Sequence, residues 1–165
     1  MLAGLCWVFL ARLAGDFVAP YALTLPLMAP PLTVAALRLP RRAGAITLAL
    51  VALLYDAGTG LPFGASATVA LPLHALLYAA RQRLAADSGL LLALVAAALT
   101  PVMHFGVAAV IGRVSGRGMT DDLFGFASEI VAGCVLAGIA TPWLAGLTNA
   151  MLRAFGIGRE TEVYG

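Results

Sequence analysis

At 165 residues, with 62% hydrophobic and 11% charged residues and a mean hydropathy of +0.98, the chain has the composition of an integral membrane protein. That length could hold about six spans of about 20 residues with short connections and leaves no room for a soluble domain. The formal charge of +2, ten scattered basic residues, all arginine, against eight acidic ones, is too small for a nucleic-acid partner.

The first apolar segment runs from about residue 2 to 19. No basic stretch precedes it, so a cleaved leader is not expected and the segment is expected to remain as a helix. Arg12 and Asp16 lie one helical turn apart on the same face, where they are expected to pair, either at the interface or toward a partner helix. Segment two, about 21 to 37, contains Pro26, Pro30 and Pro31 and is expected to be kinked or broken. Cys6 in segment one and Cys134 further on have no cysteine or histidine at metal or redox spacing and read as packing residues.

The most basic short loop, Arg38-Leu39-Pro40-Arg41-Arg42, precedes segment three, about 40 to 57. At 1.5 Å per residue this segment spans about 27 Å, just under the ~30 Å hydrocarbon core, and it ends in a lone acid, Asp56. A carboxylate near a helix C-terminus opposes the macrodipole, so helix propensity does not explain its placement. Two roles fit. Its oxygens accept hydrogen bonds from the N–H groups of Gly58, Thr59 or Gly60 and tie the turn, or the acid faces a partner, a cavity or a transported group. Gly58, Gly60 and Gly64 permit backbone angles that other residues resist, and Pro62 is suited to open the next helix.

Segment four, about 62 to 80, contains Pro72, where a kink is expected, and His74, and it ends at Arg81-Gln82-Arg83. Segment five, about 89 to 112, carries Thr100-Pro101 and His104 near its middle; neither histidine has a second ligand at metal spacing, so both read as hydrogen-bonded residues. A polar loop from 113 to 122 leads to segment six, about 123 to 154, interrupted at Thr141-Pro142-Trp143. Glu129, two turns inside it, is the second candidate acid, either reaching back to water or facing a partner. With the N-terminus cytoplasmic, seven arginines (38, 41, 42, 81, 83, 153, 159) fall in inside loops and the tail, against two (113, 117) outside. That bias implies six spans, both termini in the cytoplasm and the Asp56 corner outside.

The order of a basic corner (ALRLPRRAG), an apolar helix ending in an acid, a glycine turn (LLYDAGTGLPFG) and an apolar helix ending in arginines resembles the bacterial rod shape-determining protein MreD family. Pro62-Phe63-Gly64 stands where that family has a Leu-Gly close. The resemblance implies an all-α, six-helix inner-membrane component of the machinery that elongates side-wall peptidoglycan. Such a component binds the single-pass protein MreC and, through it, an actin-like filament and the wall synthases. The family is similar in fold to the substrate-binding subunits of energy-coupling-factor vitamin transporters, which supplies the alternative: a small-molecule pocket open to the outside, with Asp56 or Glu129 touching the ligand. No His-Glu-x-x-His, Gly-x-Ser-x-Gly or phosphate-binding loop is present, which argues against an enzyme, and no cofactor or metal is expected.

Overall fold

The computed structural model describes residues 28–59, 61–83, 88–115 and 123–154. Segment one, with Cys6 and the expected Arg12–Asp16 pair, lies outside the described residues, as does Gly60. The described chain is all-helical: α1 (Ala29–Arg38), α2 (Arg41–Thr59), α3 (Ala65–Ala80) with a 3₁₀ turn at Arg81–Arg83, α4 (Gly89–Ser115) and α5 (Leu123–Ala154). Two of these, over Gly89–Arg113 and Gly125–Ala154, are long and apolar enough to cross a membrane.

α1 is the hub. Every residue from Ala29 to Leu37 is buried, and α1 packs against each of the other four helices. Segment two therefore contains a helix that begins only at Ala29, and Pro30 and Pro31 open it instead of breaking it. In the first turn their missing N–H groups have no intrahelical acceptor to lose. Leu32 N–H is the first to bond back, to the Met28 carbonyl at 3.2 Å.

α2 turns one stripe inward, Gly44, Leu48, Val51, Ala52, Tyr55 and Asp56, at spacings of three and four residues. Ile46, Leu50 and Leu54 face outward on the other side. The seating of α3 depends on close approach at two bare positions. A Cβ on Gly44 would lie 2.5 Å from the Ala35 carbonyl oxygen and 2.8 Å from His74 Nε2, so α1, α2 and α3 meet there at backbone distance. At Gly106 a Cβ would lie 2.6 Å from Val69 Cγ1, which seats α3 on α4.

α4 and α5 form an antiparallel pair: Gly89 lies beside Pro142, Ala97 beside Cys134, and His104 beside Glu129. α4 buries Leu92, Ala96, Thr100, Met103 and Val107 along this seam. The expected break at Thr141-Pro142-Trp143 is absent, because α5 runs continuously through Pro142, as α3 does through Pro72 and α4 through Pro101. Proline at 101 removes the N–H that would bond the Ala97 carbonyl. The Cys134 thiol of α5 donates to that same oxygen at 3.3 Å. Cys134 is thus more than a packing residue: it satisfies, from the neighbouring helix, the carbonyl that Pro101 leaves open. Thr100 and Thr141, each just before a proline, donate their hydroxyls to Ala96 and Ala137 one turn back.

Gly44→Ala should lower stability by about 1–3 kcal/mol, the usual cost of overpacking against neighbours that cannot retreat. Gly146→Ala, where nothing lies within 4 Å of the new methyl, should be neutral or stabilising by up to about 1 kcal/mol from helix propensity. Thermal unfolding of the two variants side by side in detergent checks the difference.

Candidate functional site: the Asp56 corner and the His104–Glu129 pair

α2 continues to Thr59, one turn beyond Tyr55, where the Thr59 hydroxyl bonds the Tyr55 carbonyl at 2.9 Å. Gly58 is therefore helical and does not make the turn expected of it. The described part of the reversal, residues 61–64, lies after Thr59 and ends at Gly64, whose φ of +89° is left-handed and suits a residue without a Cβ. Pro62 does not open the next helix. It stands in the turn and accepts a hydrogen bond from Ala65 N–H at 2.9 Å, and the helix begins at Ala65.

Asp56 is fully buried, with 0% of its surface exposed. Its Oδ2 accepts from Gly64 N–H at 2.9 Å, and both carboxylate oxygens accept from Ser66 N–H at 3.2 Å. Of the donors expected from the sequence, Gly58 and Thr59 give way to Gly64 and Ser66, eight and ten residues along, and Gly60 lies outside the described residues. The difference has a physical cause. Ser66 is the second residue of α3, and the first N–H groups of a helix have no intrahelical acceptor. A carboxylate placed there satisfies two of them and lies at the positive end of the dipole. Asp56 opposes the dipole of its own helix and is compensated by that of the next. Outside this sealed contact, Phe63 stands 73% exposed at the tip of the corner.

The second group lies on α4 and α5. His104 Nε2 is 3.9 Å from Glu129 Oε2, with the histidine side chain 4% exposed and the glutamate 16%. That separation is too long for a direct hydrogen bond and short enough for an ion pair once the imidazole is protonated. Phe126 packs its ring edge-on between His104 and Phe105, at centroid distances of 5.9 and 5.2 Å. The bare backbone of Gly133 lets α5 approach α4 beside this pair, since a Cβ there would lie 2.9 Å from Thr100 Cγ2.

A third cluster, which carries the other histidine, secures α3 to the α1–α2 corner. His74 is buried with Tyr78 stacked one turn later at 6.2 Å, and Arg81 lies over the Tyr78 ring at 4.7 Å. Arg81 Nη1 donates to the Leu39 carbonyl at 3.4 Å. A cation is thereby set at the C-terminal end of α1, where the dipole favours it.

Of the residues singled out in the sequence, Asp56 and Gly64 are brought together, Gly58 is set apart in α2, and Glu129 is joined to His104. Arg12, Asp16 and Gly60 lie outside the described residues. Ser66, His74 and Cys134 acquire roles that the sequence did not suggest. For Ser66, the one available signal was an acid upstream of a helix start that lacks a polar capping side chain of its own. No family model, curated protein or solved structure matches the chain.

Asp56→Ala should destabilise by about 1–3 kcal/mol, because two N–H groups lose their acceptor in a buried place. Asp56→Asn keeps one acceptor oxygen and should cost about 1 kcal/mol or less. Unfolding midpoints of the two variants check this, and equal losses would mean that the charge, and not the cap, holds the corner.

Proposed function

We propose that this chain is a non-catalytic, multi-pass component of the bacterial inner membrane, with six spans and both termini in the cytoplasm, that works by binding a partner protein. On the resemblance to the MreD family, the partner is an MreC-like single-pass protein of the side-wall elongation complex, with the wall synthases and actin-like filament engaged indirectly. No cofactor enters this reading.

The observation that supports it is the construction of the corner. Asp56 spends its carboxylate inside the fold on Gly64 and Ser66, and Phe63 is left pointing outward on a turn held from within. A rigid turn with an exposed aromatic at its tip suits docking, since aromatic anchors carry a large share of binding energy at interfaces. Asp56, Gly58, Gly60 and Gly64 are then the frame of the contact. Glu129, partly exposed on the α4–α5 pair, and the Arg12/Asp16 face are further contact points. The apolar residues that α4 and α5 turn outward, among them Leu90, Leu94, Val131 and Ile139, fit a lipid or helix neighbour.

Orientation is checked by labelling single cysteines from outside. Those at Thr59 and Ser115 should react and those at Gln82 and Thr161 should be shielded; outside labelling at Gln82 would overturn the six-span arrangement.

Partner binding is checked by co-purification with the MreC-like protein at equal membrane levels of each variant. Phe63→Ala should weaken recovery about tenfold or more without changing the amount of protein, the loss of about 1.4 kcal/mol or more that an anchor residue carries. Asp56→Ala should lower the amount itself. If Phe63→Ala binds like the parent and a vitamin added at a thousandfold excess over its Kd stabilises the protein by about 4 kcal/mol, the chain is the substrate-binding subunit of a vitamin transporter instead.

A further inference from the structure

We propose that the end of the bundle made by the α1–α2 corner and the C-terminus of α3 binds the phosphate of an anionic phospholipid, held by Arg41, Arg42 and Arg83 over the first turn of α2. This rests on the membrane part of the reading above and not on the partner.

Three observations lead to it. First, the charges at the start of α2 have the wrong sign for their position. Its first turn carries Arg41 and Arg42 and no acidic residue, at the end where the dipole is already positive. Gly44 N–H is the first in α2 to bond back, to the Pro40 carbonyl at 2.8 Å, so the N–H groups before it lie at an open helix end. Second, the fold adds more positive charge to the same place. The hydrogen bond from Arg81 to Leu39 fixes the end of α3 against this corner and brings the 3₁₀ turn there, with Arg83 two residues further. Arg41, Arg42 and Arg83 are all exposed, whereas Arg81 is occupied by the Leu39 carbonyl and the Tyr78 ring.

Third, the described carboxylates lie elsewhere. Asp56 is at the opposite end of α2, capping α3, and Glu129 is with His104 in the far half of the α4–α5 pair. Exposed Arg41 and Arg42 at a helix N-terminus, and exposed Arg83 on the turn that Arg81 ties to the same corner, therefore stand at one end of the bundle without a described acid beside them. Their shared complement is an oxyanion that accepts planar, bidentate hydrogen bonds, which is what a phosphodiester offers. At the end of a bundle that lies in a membrane, that anion is a lipid headgroup, and basic clusters at helix ends recognise such groups.

The test uses the full chain purified in detergent, offered phosphatidylglycerol and phosphatidylcholine in equal amounts, with bound lipid counted by native mass spectrometry. The parent should retain phosphatidylglycerol in preference. The double variant Arg41→Gln/Arg42→Gln should lose about 30-fold in that preference, about fivefold for each arginine. Arg153→Gln, an exposed arginine at the end of α5, should retain the preference, and Arg41→Lys/Arg42→Lys, which keeps the charge but loses the planar fork, should fall between the parent and the double Gln variant. Equal retention of the two lipids, or a loss in Arg153→Gln as great as in the double variant, overturns the site. Displacement of the lipid by inorganic phosphate at equal concentration overturns the lipid as its occupant. Release of the protein from membranes by alkaline carbonate would overturn the membrane reading and this site with it, whereas retention with no lipid preference overturns the site only.

Discussion

A single buried carboxylate determines how the middle of this chain is arranged. Asp56 reaches out of the last turns of α2 to accept the Gly64 and Ser66 N–H groups, and so fixes where α3 starts. A buried acid without partners would be very costly, and two helix-start N–H groups buried without acceptors would add to that cost. Each need answers the other. The left-handed backbone at Gly64 is what lets the chain come back within reach, so the acid and the glycine work as one device. α3, held in that register, then lies against α1 and α2 with His74 over Gly44 and Arg81 on Leu39.

The same principle, backbone groups satisfied from a neighbouring helix, recurs across the fold. Pro101 opens the Ala97 carbonyl and Cys134 of α5 closes it, while Arg81 of the α3 end serves the carbonyl of Leu39 just past α1. Such exchanges matter most where water is scarce, and at Pro101 one of them lets a proline sit inside an unbroken helix. They also link the corner to function. A turn whose acid is engaged inward by Gly64 and Ser66 can offer Phe63 outward without exposing that acid, which fits a contact surface better than a ligand pocket lined by Asp56.

Much of the architecture was legible in the chain, and the exceptions share a cause. The helical class, the hairpin between the third and fourth segments and the start of the fifth at Gly89 followed from apolar runs and breakers. Local signals misplaced finer features. Gly58 looked like a turn residue but lies in α2, because the turn's chemistry is supplied by Asp56 bonding forward to Ser66 and not to its nearest neighbours. Pro30 and Pro31 looked like breakers, yet prolines in a first turn remove nothing that was bonded. The His104–Glu129 pair was invisible because 25 residues separate its members and only the antiparallel register of α4 and α5 joins them. The six spans read from composition stand beside two described helices long and apolar enough to cross a membrane, since α1 and α3, at 10 and 16 residues, are short for that task.

Amide hydrogen exchange resolved at single residues tests the central claim most directly. In the parent, Gly64 and Ser66 N–H should exchange slowly although they belong to a turn and a helix start, and replacing Asp56 with Ala should speed their exchange at least tenfold, the loss of a protecting contact of about 1.4 kcal/mol, while α4 and α5 keep their protection. Fast exchange at Gly64 and Ser66 in the parent, or no change on replacing Asp56, would contradict the account.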